Sequence, residues 1–104
     1  MLATMMIMTT EYKYKIEMSP RYRKELRKMI RRGKREEDII HVVNMLASDE
    51  PLPLRNKDHP LHGKWEGMRE CHIEPDWLLI YKKYKDTLIL LLSRTGTHSD
   101  LLDM

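Results

Sequence analysis

The chain has 104 residues, of which 34% are charged and 41% hydrophobic, so we expect one domain over 1–104 with one modest core. No apolar run reaches the roughly 18 residues of a membrane helix, which argues against a membrane protein, and the single Cys71 rules out an internal disulfide and favours a reducing cytoplasm. The net charge of +3 hides an asymmetry, because residues 21–35 contain nine Lys and Arg and only one glutamate, a local charge of +8.

The N-terminal region contains an apolar start and then a predicted strand. The first ten residues, MLATMMIMTT, have no Lys or Arg ahead of their hydrophobic stretch, so we expect a frayed N-terminus rather than a secretory signal. The next segment, YKYKIEMS, alternates apolar and charged residues from Tyr12 to Met18. This period of two predicts a half-buried first strand.

A basic helix is predicted next. Ser19 and Pro20 are typical of an N-cap and a first helical position, apolar residues then recur at helical spacing, and Gly33 suits the C′ position. This helix carries most of the +8 block. A surface of one charge sign is typical of proteins that bind phosphates or an acidic partner, and the alternative is a solvated helix face.

A second helix and a long loop follow. Residues 39–47 repeat an apolar stripe at i, i+3, i+4 and i+7, and three acidic residues at 36–38 suit the first turn of a helix. Residues 48–65 contain three prolines and one glycine and show no periodicity. They predict a long loop, and long ordered loops are usually functional.

The C-terminal part predicts three short strands, at about 66–72, 77–84 and 87–93, with turns at IEPD and near YKDT. The element order is then βααβββ. The sequence therefore predicts an α+β protein with a small, mostly antiparallel sheet of about four strands.

Polar residues gather where these strands begin and end. In an antiparallel meander the end of one strand lies beside the start of the next, so His72 should meet Asp76 and Trp77 across a tight turn. Residues 94–98, which end in a histidine, should return to the same edge. His59 can reach this edge only if the long loop folds back along the sheet, which topology alone does not decide.

Histidines beside a carboxylate and arginines suit the cleavage of RNA without a metal. A base removes the proton of the 2′-hydroxyl, an acid protonates the departing 5′-oxygen, and cations stabilise the charge that develops on the phosphorane. Imidazole suits both proton transfers because its ordinary pKa is about 6.5. The Trp77 ring could stack on a base, although a place in the core is an equal alternative.

Two runs of the sequence carry a family resemblance: LPLRNKDHPLHGKWEGMRECHIEPDWLLIYK at 52–82 and RTGTH at 94–98. They resemble the signature of the YafQ branch of RelE-type toxins, bacterial ribonucleases of toxin-antitoxin modules, over about residues 16–102. The resemblance implies a RelE/ParE-like fold in which two helices pack beside a small sheet. It places the catalytic set on His59, His72, Asp76 and His98, together with Trp77.

The sequence departs from the family pattern at one position. The family carries a Phe shortly after the last histidine, where this chain has Leu102, and the chain contains no Phe. If the family's Phe stacks on a nucleotide, Leu102 supplies only an apolar wall, and substrate preference differs.

The resemblance implies a ribosome-dependent endoribonuclease toxin. Its expected partners are mRNA in the ribosome, ribosomal RNA and a cognate antitoxin, with no cofactor and no metal. His98 is predicted as the general acid and Asp76, His59 or His72 as the base, although the order could be reversed. Arg94 and Lys57 either stabilise the phosphorane or form structural ion pairs. The predicted RNA contacts are Trp77, Arg94, Lys57, Leu102, Arg27, Lys28, Arg31 and Arg32.

Two other functions remain as alternatives. A metal-dependent nuclease would use nitrogen and oxygen ligands, which the chain offers at His59, His62, Glu70, His72, Asp76 and His98. Their spacing matches no diagnostic metal motif. A non-catalytic module of the related ParE type would act on a protein, but it has no use for three imidazoles at one edge.

Overall fold

The computed structural model describes residues 12–102, so the expected frayed segment 1–10 lies outside the described residues. Within them, the structure has two helices, α1 (Pro20–Arg31) and α2 (Glu36–Ala47). The strands are β1 (Lys15–Met18), β2 (His59–Pro60), β3 (Arg69–Glu74), β4 (Trp77–Tyr84) and β5 (Ile89–Gly96). The predicted α+β class with two N-terminal helices is confirmed. No helix in this part of the chain is long and apolar enough to cross a membrane.

The five strands form one sheet in the order β1-β5-β4-β3-β2. Neighbouring strands are antiparallel except β1 and β5, which are parallel. The predicted mostly antiparallel sheet is therefore confirmed, with one strand more than expected. That strand is β2, where the long loop folds back and pairs His59 with Glu70.

Helix α1 begins and ends where its capping residues predict. The hydroxyl of Ser19 accepts the N–H of Tyr22 at 2.9 Å, which satisfies one of the unpaired donors of the first turn. At the other end Gly33 has φ +96° and donates its N–H to the carbonyl of Ile30. A left-handed C′ residue of this kind stops the helix and favours glycine.

Both helices pack on the same face of the sheet and form the main core. Burial of large apolar side chains there is the chief stabilising term. The buried residues are Tyr14, Tyr22, Met29, Ile39, Val42, Val43, Leu46, Ala47, Cys71, Trp77, Leu79, Tyr81, Leu90 and Leu92.

Three predicted strand boundaries are wrong by a few residues. The first strand begins at Lys15 rather than Tyr12, because the N–H of Tyr14 donates to the carbonyl of Ala47 at the end of α2 instead of to β5. The predicted strand 66–72 is β3, which starts only after a turn at Gly67 with φ +92°. The last strand is shifted towards the C-terminus, because Leu88 lies in the preceding turn with φ 57°.

Candidate active site

The face of the sheet that points away from the helices carries the candidate site. Cys71 and its cross-strand partner Leu79 lie in the helix-side core, so alternation along β3 directs Glu70 and His72 to the opposite face. That face has its own smaller apolar cluster, which includes Leu101 from the turn after β5. The helices leave it open to a large substrate.

Asp76 and His98 meet at the end of this face. Asp76 lies in the turn between β3 and β4, and His98 lies in the turn that follows β5. One carboxylate oxygen, Asp76 Oδ1, accepts the backbone N–H of His98 at 2.8 Å and lies 2.5 Å from its ring Nδ1. These bonds, the backbone one first, lower the pKa of Asp76. The predicted convergence of the two turns is therefore present in the structure.

The hydrogen bonds define how each imidazole is presented. A carboxylate only accepts, so His98 donates its Nδ1–H to Asp76 and its Nε2 is directed away from that bond. The Nδ1 of His72 lies 3.2 Å from the carbonyl of Pro75, which also only accepts. The two ring centroids are 5.6 Å apart, so two Nε2 atoms are available to one substrate.

His59 reaches the same face through β2. It pairs with Glu70, whose side chain projects on the same face as that of His72. The Nδ1 of His59 lies 2.6 Å from the carbonyl of Lys57, and its Nε2 lies 3.2 Å from Glu70 Oε1. A carbonyl and a carboxylate both accept, so both contacts are hydrogen bonds when each ring nitrogen carries a proton, and the ring is then a cation.

Trp77 lies in the core, which was the second of its two predicted roles. Its side chain is 0% exposed, and its indole N–H donates to Thr95 Oγ1 at 2.9 Å. The same hydroxyl donates to the carbonyl of Leu78 at 2.7 Å. The ring therefore has no exposed face in this structure on which a base could stack, and it instead fixes the start of β4 beside the Asp76 turn.

Arg94 and Lys57 have different surroundings. Arg94 is 6% exposed and its guanidinium donates to Glu25 of α1, with Nη2 2.6 Å from Oε2. It thus forms a structural ion pair and holds α1 against β5, rather than facing a phosphate. Lys57 is exposed, with a left-handed backbone at φ 48°. Leu102 is 81% exposed. The contacts of Lys57 and Leu102 with RNA stay predictions.

The sequence did not reveal the residues that hold His59 and His72 in place. Asn56 is buried and donates from Nδ2 to the carbonyl of His72 at 2.7 Å. Asp58 accepts the hydroxyl of Tyr81 at 2.7 Å. In sequence, Asn and Asp in a proline-containing loop indicate only turns, so nothing there pointed to these long-range bonds.

The cations of the basic segment 21–35 differ in whether they form ion pairs. Arg21, Arg32 and Lys34 pair with acidic residues of the chain. Arg27, Lys28 and Arg31 are exposed, and none of them forms an ion pair with another residue in 12–102. Of the four predicted contacts on this helix, Arg32 is therefore the one already occupied, by Asp100.

The alternative of a metal site finds no ready ligand cluster. Across residues 12–102, no group of three or more His, Cys, Asp or Glu side chains is placed to hold a metal ion. His62, one of the ligands considered, is mainly exposed and lies 3.9 Å from Glu66.

Comparison with known proteins identifies similar chains. Residues 14–103 match the sequence model of a family described as the bacterial toxin of type II toxin-antitoxin system, YafQ. The mRNA interferase toxin YafQ of Escherichia coli strain K12 is 44% identical over 87 residues, which cover 83% of this chain and 92% of that protein.

Two solved structures share the fold. YafQ in the E. coli DinJ-YafQ toxin-antitoxin complex superposes with a TM-score of 0.78 at 40% identity, covering 86% of this chain and 97% of that one. A metal-bound toxin from Helicobacter pylori superposes with a TM-score of 0.80 at 40% identity, covering 85% and 98%. At this identity and coverage the similarity extends to the sequence as well as the fold.

Proposed function

The chain belongs to the YafQ family of bacterial type II toxin-antitoxin toxins, and from this we propose that it is an mRNA interferase that cleaves message bound in the ribosome. Two imidazoles beside one carboxylate on an open face are its main structural support. The E. coli relative carries the name mRNA interferase. We therefore also propose that the protein acts in the cytoplasm, where message is translated.

Cleavage starts from the 2′-hydroxyl of the RNA itself. The 2′-oxygen attacks the adjacent phosphorus as its proton passes to a base, and the bond from phosphorus to the 5′-oxygen breaks as an acid supplies a proton. The products are a 2′,3′-cyclic phosphate and a 5′-hydroxyl. This chemistry needs one proton acceptor and one proton donor on opposite sides of the phosphate, and no metal.

We assign the acid to His98. Asp76 is the carboxylate whose pKa is lowered, so it is an anion at neutral pH. An anion 2.5 Å from Nδ1 stabilises a positive charge on the ring when Nε2 is also protonated. A protonated Nε2 is the group that a departing 5′-oxygen requires.

We assign the base to His72 and a supporting role to His59. The Nδ1 of His72 donates to a neutral carbonyl, which suits a neutral ring with an accepting Nε2. His59 lies on the same face, with its ring fixed between the carbonyl of Lys57 and the carboxylate of Glu70, and has a supporting role there. Asp76 then acts through His98 by orienting it, rather than by taking the 2′ proton.

The exposed cations of α1 are suited to binding the phosphates of ribosomal RNA. Arg27, Lys28 and Arg31 carry no internal ion pair within the described residues, so their charges are available to phosphates. An antitoxin is the second partner that we propose, because E. coli YafQ is known in complex with DinJ. An acidic antitoxin segment would find its charge complement on the same surface of α1.

The experiment that tests this function compares three substrates: naked mRNA, mRNA on programmed ribosomes, and empty ribosomes. We expect cuts only in the ribosome-bound message, at positions fixed relative to the reading frame. Equal cleavage of naked RNA would contradict ribosome dependence. Intact message under all conditions would instead favour a ParE-like module that acts on a protein.

The metal-dependent alternative is addressed in the same assay. The H. pylori neighbour has been crystallised with metal bound, so the protein is first stripped of metal with EDTA, and the EDTA is then removed because ribosomes need Mg²⁺. Undiminished cleavage by the stripped protein supports the imidazole mechanism, and loss that is restored by adding back a transition metal would contradict it.

A further inference from the structure

Two residues immediately after α1 contact both turns of the candidate site through ion pairs. Arg32 binds Asp100 with two parallel bonds, Nη1 to Oδ2 at 2.6 Å and Nη2 to Oδ1 at 3.2 Å. Lys34 binds Glu74 Oε1 at 2.6 Å. Asp100 belongs to the turn that carries His98, and Glu74 ends β3 immediately before the turn that carries Asp76.

Asp100 also closes the turn around His98. Its Oδ2 accepts the backbone N–H of Thr97 at 2.9 Å, and the hydroxyl of Thr97 accepts the N–H of Asp100 at 3.1 Å. This reciprocal pattern is that of a capping box. A Cβ at Gly96 would lie 2.9 Å from Asp100 Cβ, so the turn closes directly against the end of β5. His98 is therefore held between two residues that bind each other.

Glu74 fixes the opposing turn in a similar way. Glu74 pairs with Trp77 across β3 and β4, which leaves Pro75 and Asp76 as the two turn residues. The carbonyl of Pro75 is also the partner of His72 Nδ1. A contact that anchors Glu74 thus bears on both Asp76 and His72.

The contact between Asp76 and His98 is exposed to solvent and is too weak to hold the two turns together by itself. The side chains of His98 and Asp76 are 58% and 65% exposed. Exposed ion pairs between mobile groups contribute little, because water and salt compete with them. The short distance between Asp76 and His98 therefore requires that other contacts hold both turns.

We propose that Arg32 and Lys34 are positioning residues, which fix the His98 turn and the Asp76 turn against one end of α1. The bidentate geometry of Arg32 with Asp100 is the form of surface ion pair that resists competition best. Arg32 then differs from Arg27, Lys28 and Arg31, for which we propose contacts with ribosomal RNA. The catalytic consequence rests on the proposed function, whereas the structural one can be measured in the isolated protein.

The structural test uses the tautomer of His98, read from the ¹⁵N shifts of its ring at about pH 8.5, well above the ordinary imidazole pKa. In the intact protein we expect the Nδ1–H form, fixed by Asp76. Arg32→Gln and Asp100→Asn should shift the ring towards a mixture of both tautomers, and Asp76→Ala provides the reference for a lost pair. Thermal unfolding checks that each variant is folded.

The matched control is Arg35→Gln, which removes the same charge just beyond α1. Arg35 is 70% exposed and pairs with Glu37 of α2, away from both turns. It should leave the His98 signals unchanged. The proposal that Arg32 and Lys34 position the two turns is wrong if His98 keeps the pure Nδ1–H form in all three folded variants, Arg32→Gln, Lys34→Gln and Asp100→Asn.

The catalytic test separates positioning from RNA binding. At saturating programmed ribosomes, Arg32→Gln should lower the single-turnover rate about 10- to 100-fold, the range for a small misplacement of a reacting group, with the half-saturating concentration unchanged. In an Asp76→Ala background it should cost nothing further. A raised half-saturating concentration with a normal maximal rate would overturn the proposal and make Arg32 an RNA contact. If the wild-type protein does not cleave message, the proposed function fails. The tautomer measurement then still shows whether Arg32 and Lys34 position the two turns.

Discussion

Asp76 and His98 act as one unit at the scale of single residues, because both hydrogen bonds between them end on the same carboxylate oxygen. We predict that His98→Ala lowers single-turnover cleavage on programmed ribosomes by about 10²- to 10⁴-fold, the usual range for a general acid. Asp76→Asn should lose less, since an amide oxygen can still accept the Nδ1–H but supplies no charge.

Ribosome binding, measured separately, should stay near the wild-type value in both variants. His41→Ala and His62→Ala are the controls, because both side chains are exposed and lie outside the proposed chemistry. Wild-type cleavage by His98→Ala would move the acid to another residue, with His59 the first candidate.

The carboxylate of Asp49 contributes to the stability of the fold in a way that depends on pH. It lies in a left-handed position after α2 and accepts from Lys83 at 2.8 Å and Lys13 at 3.0 Å. These bonds, Lys83 first, lower its pKa to about 2. A lowered folded-state pKa gives stability that is present above the ordinary carboxyl value and is lost as the pH falls through the folded one. Asp49→Asn should therefore have a lower Tm than wild type at pH 6, and the two should converge near pH 2.

Thermal unfolding at several pH values is the measurement. Asn tolerates the left-handed backbone, so the substitution removes the charge without straining the turn. Equal Tm values at pH 6 would show that the two lysine contacts add no stability.

The sequence contained enough to predict which residues converge but not how each is held. The meeting of Asp76 and His98 follows from strand order alone, because the turns lie at one edge of an antiparallel sheet. Whether Trp77 lies in the core or contacts RNA depends on which face of β4 it occupies. Whether Arg94 contacts a phosphate or forms an ion pair depends on where α1 packs. The THSD run at 97–100 matches a capping box and could have revealed Asp100.

At the scale of elements, α1 combines a buried apolar side with an exposed basic one. We predict that replacing Arg27, Lys28 and Arg31 with Gln weakens ribosome association and lowers the slope of log affinity against log salt by about 2 to 3, because each lost phosphate contact removes about 0.7 to 0.9. Cleavage at saturating ribosomes should be nearly unchanged.

The matched control removes equal charge elsewhere, by changing the exposed Lys15, Lys64 and Lys85 to Gln. This triple variant should keep most of the wild-type salt slope. If both triple variants behave alike, the binding reflects net charge rather than a surface of α1.

The sequence predicted the boundaries of helix α1 better than the edge of the sheet. Caps predicted both ends of α1, because Ser19 and Gly33 act through bonds to nearby residues. Strand β2 was not foreseen, because its two residues contain a proline and pair only after the loop folds back. Local signals thus located the helices well, and long-range pairing decided the edge of the sheet.

In the whole molecule, the end of the basic helix α1 lies beside the candidate site, so one partner is able to cover both surfaces. We predict that expression of the chain alone arrests growth of a bacterial host, and that co-expression of its antitoxin restores growth. His98→Ala, expressed at the same level, should not arrest growth but should still bind the antitoxin. Normal growth with abundant, folded wild-type protein would contradict the assignment as a toxin.

The chemistry of the cut ends tests the imidazole mechanism most directly. Message on programmed ribosomes is cleaved by wild-type protein that was stripped of metal beforehand, and the termini of the fragments are identified. Attack by the 2′-hydroxyl predicts a 2′,3′-cyclic phosphate, or the 3′-phosphate formed by its hydrolysis, opposite a 5′-hydroxyl. A 3′-hydroxyl opposite a 5′-phosphate, or cleavage that the stripped protein loses and regains with an added transition metal, would contradict the account.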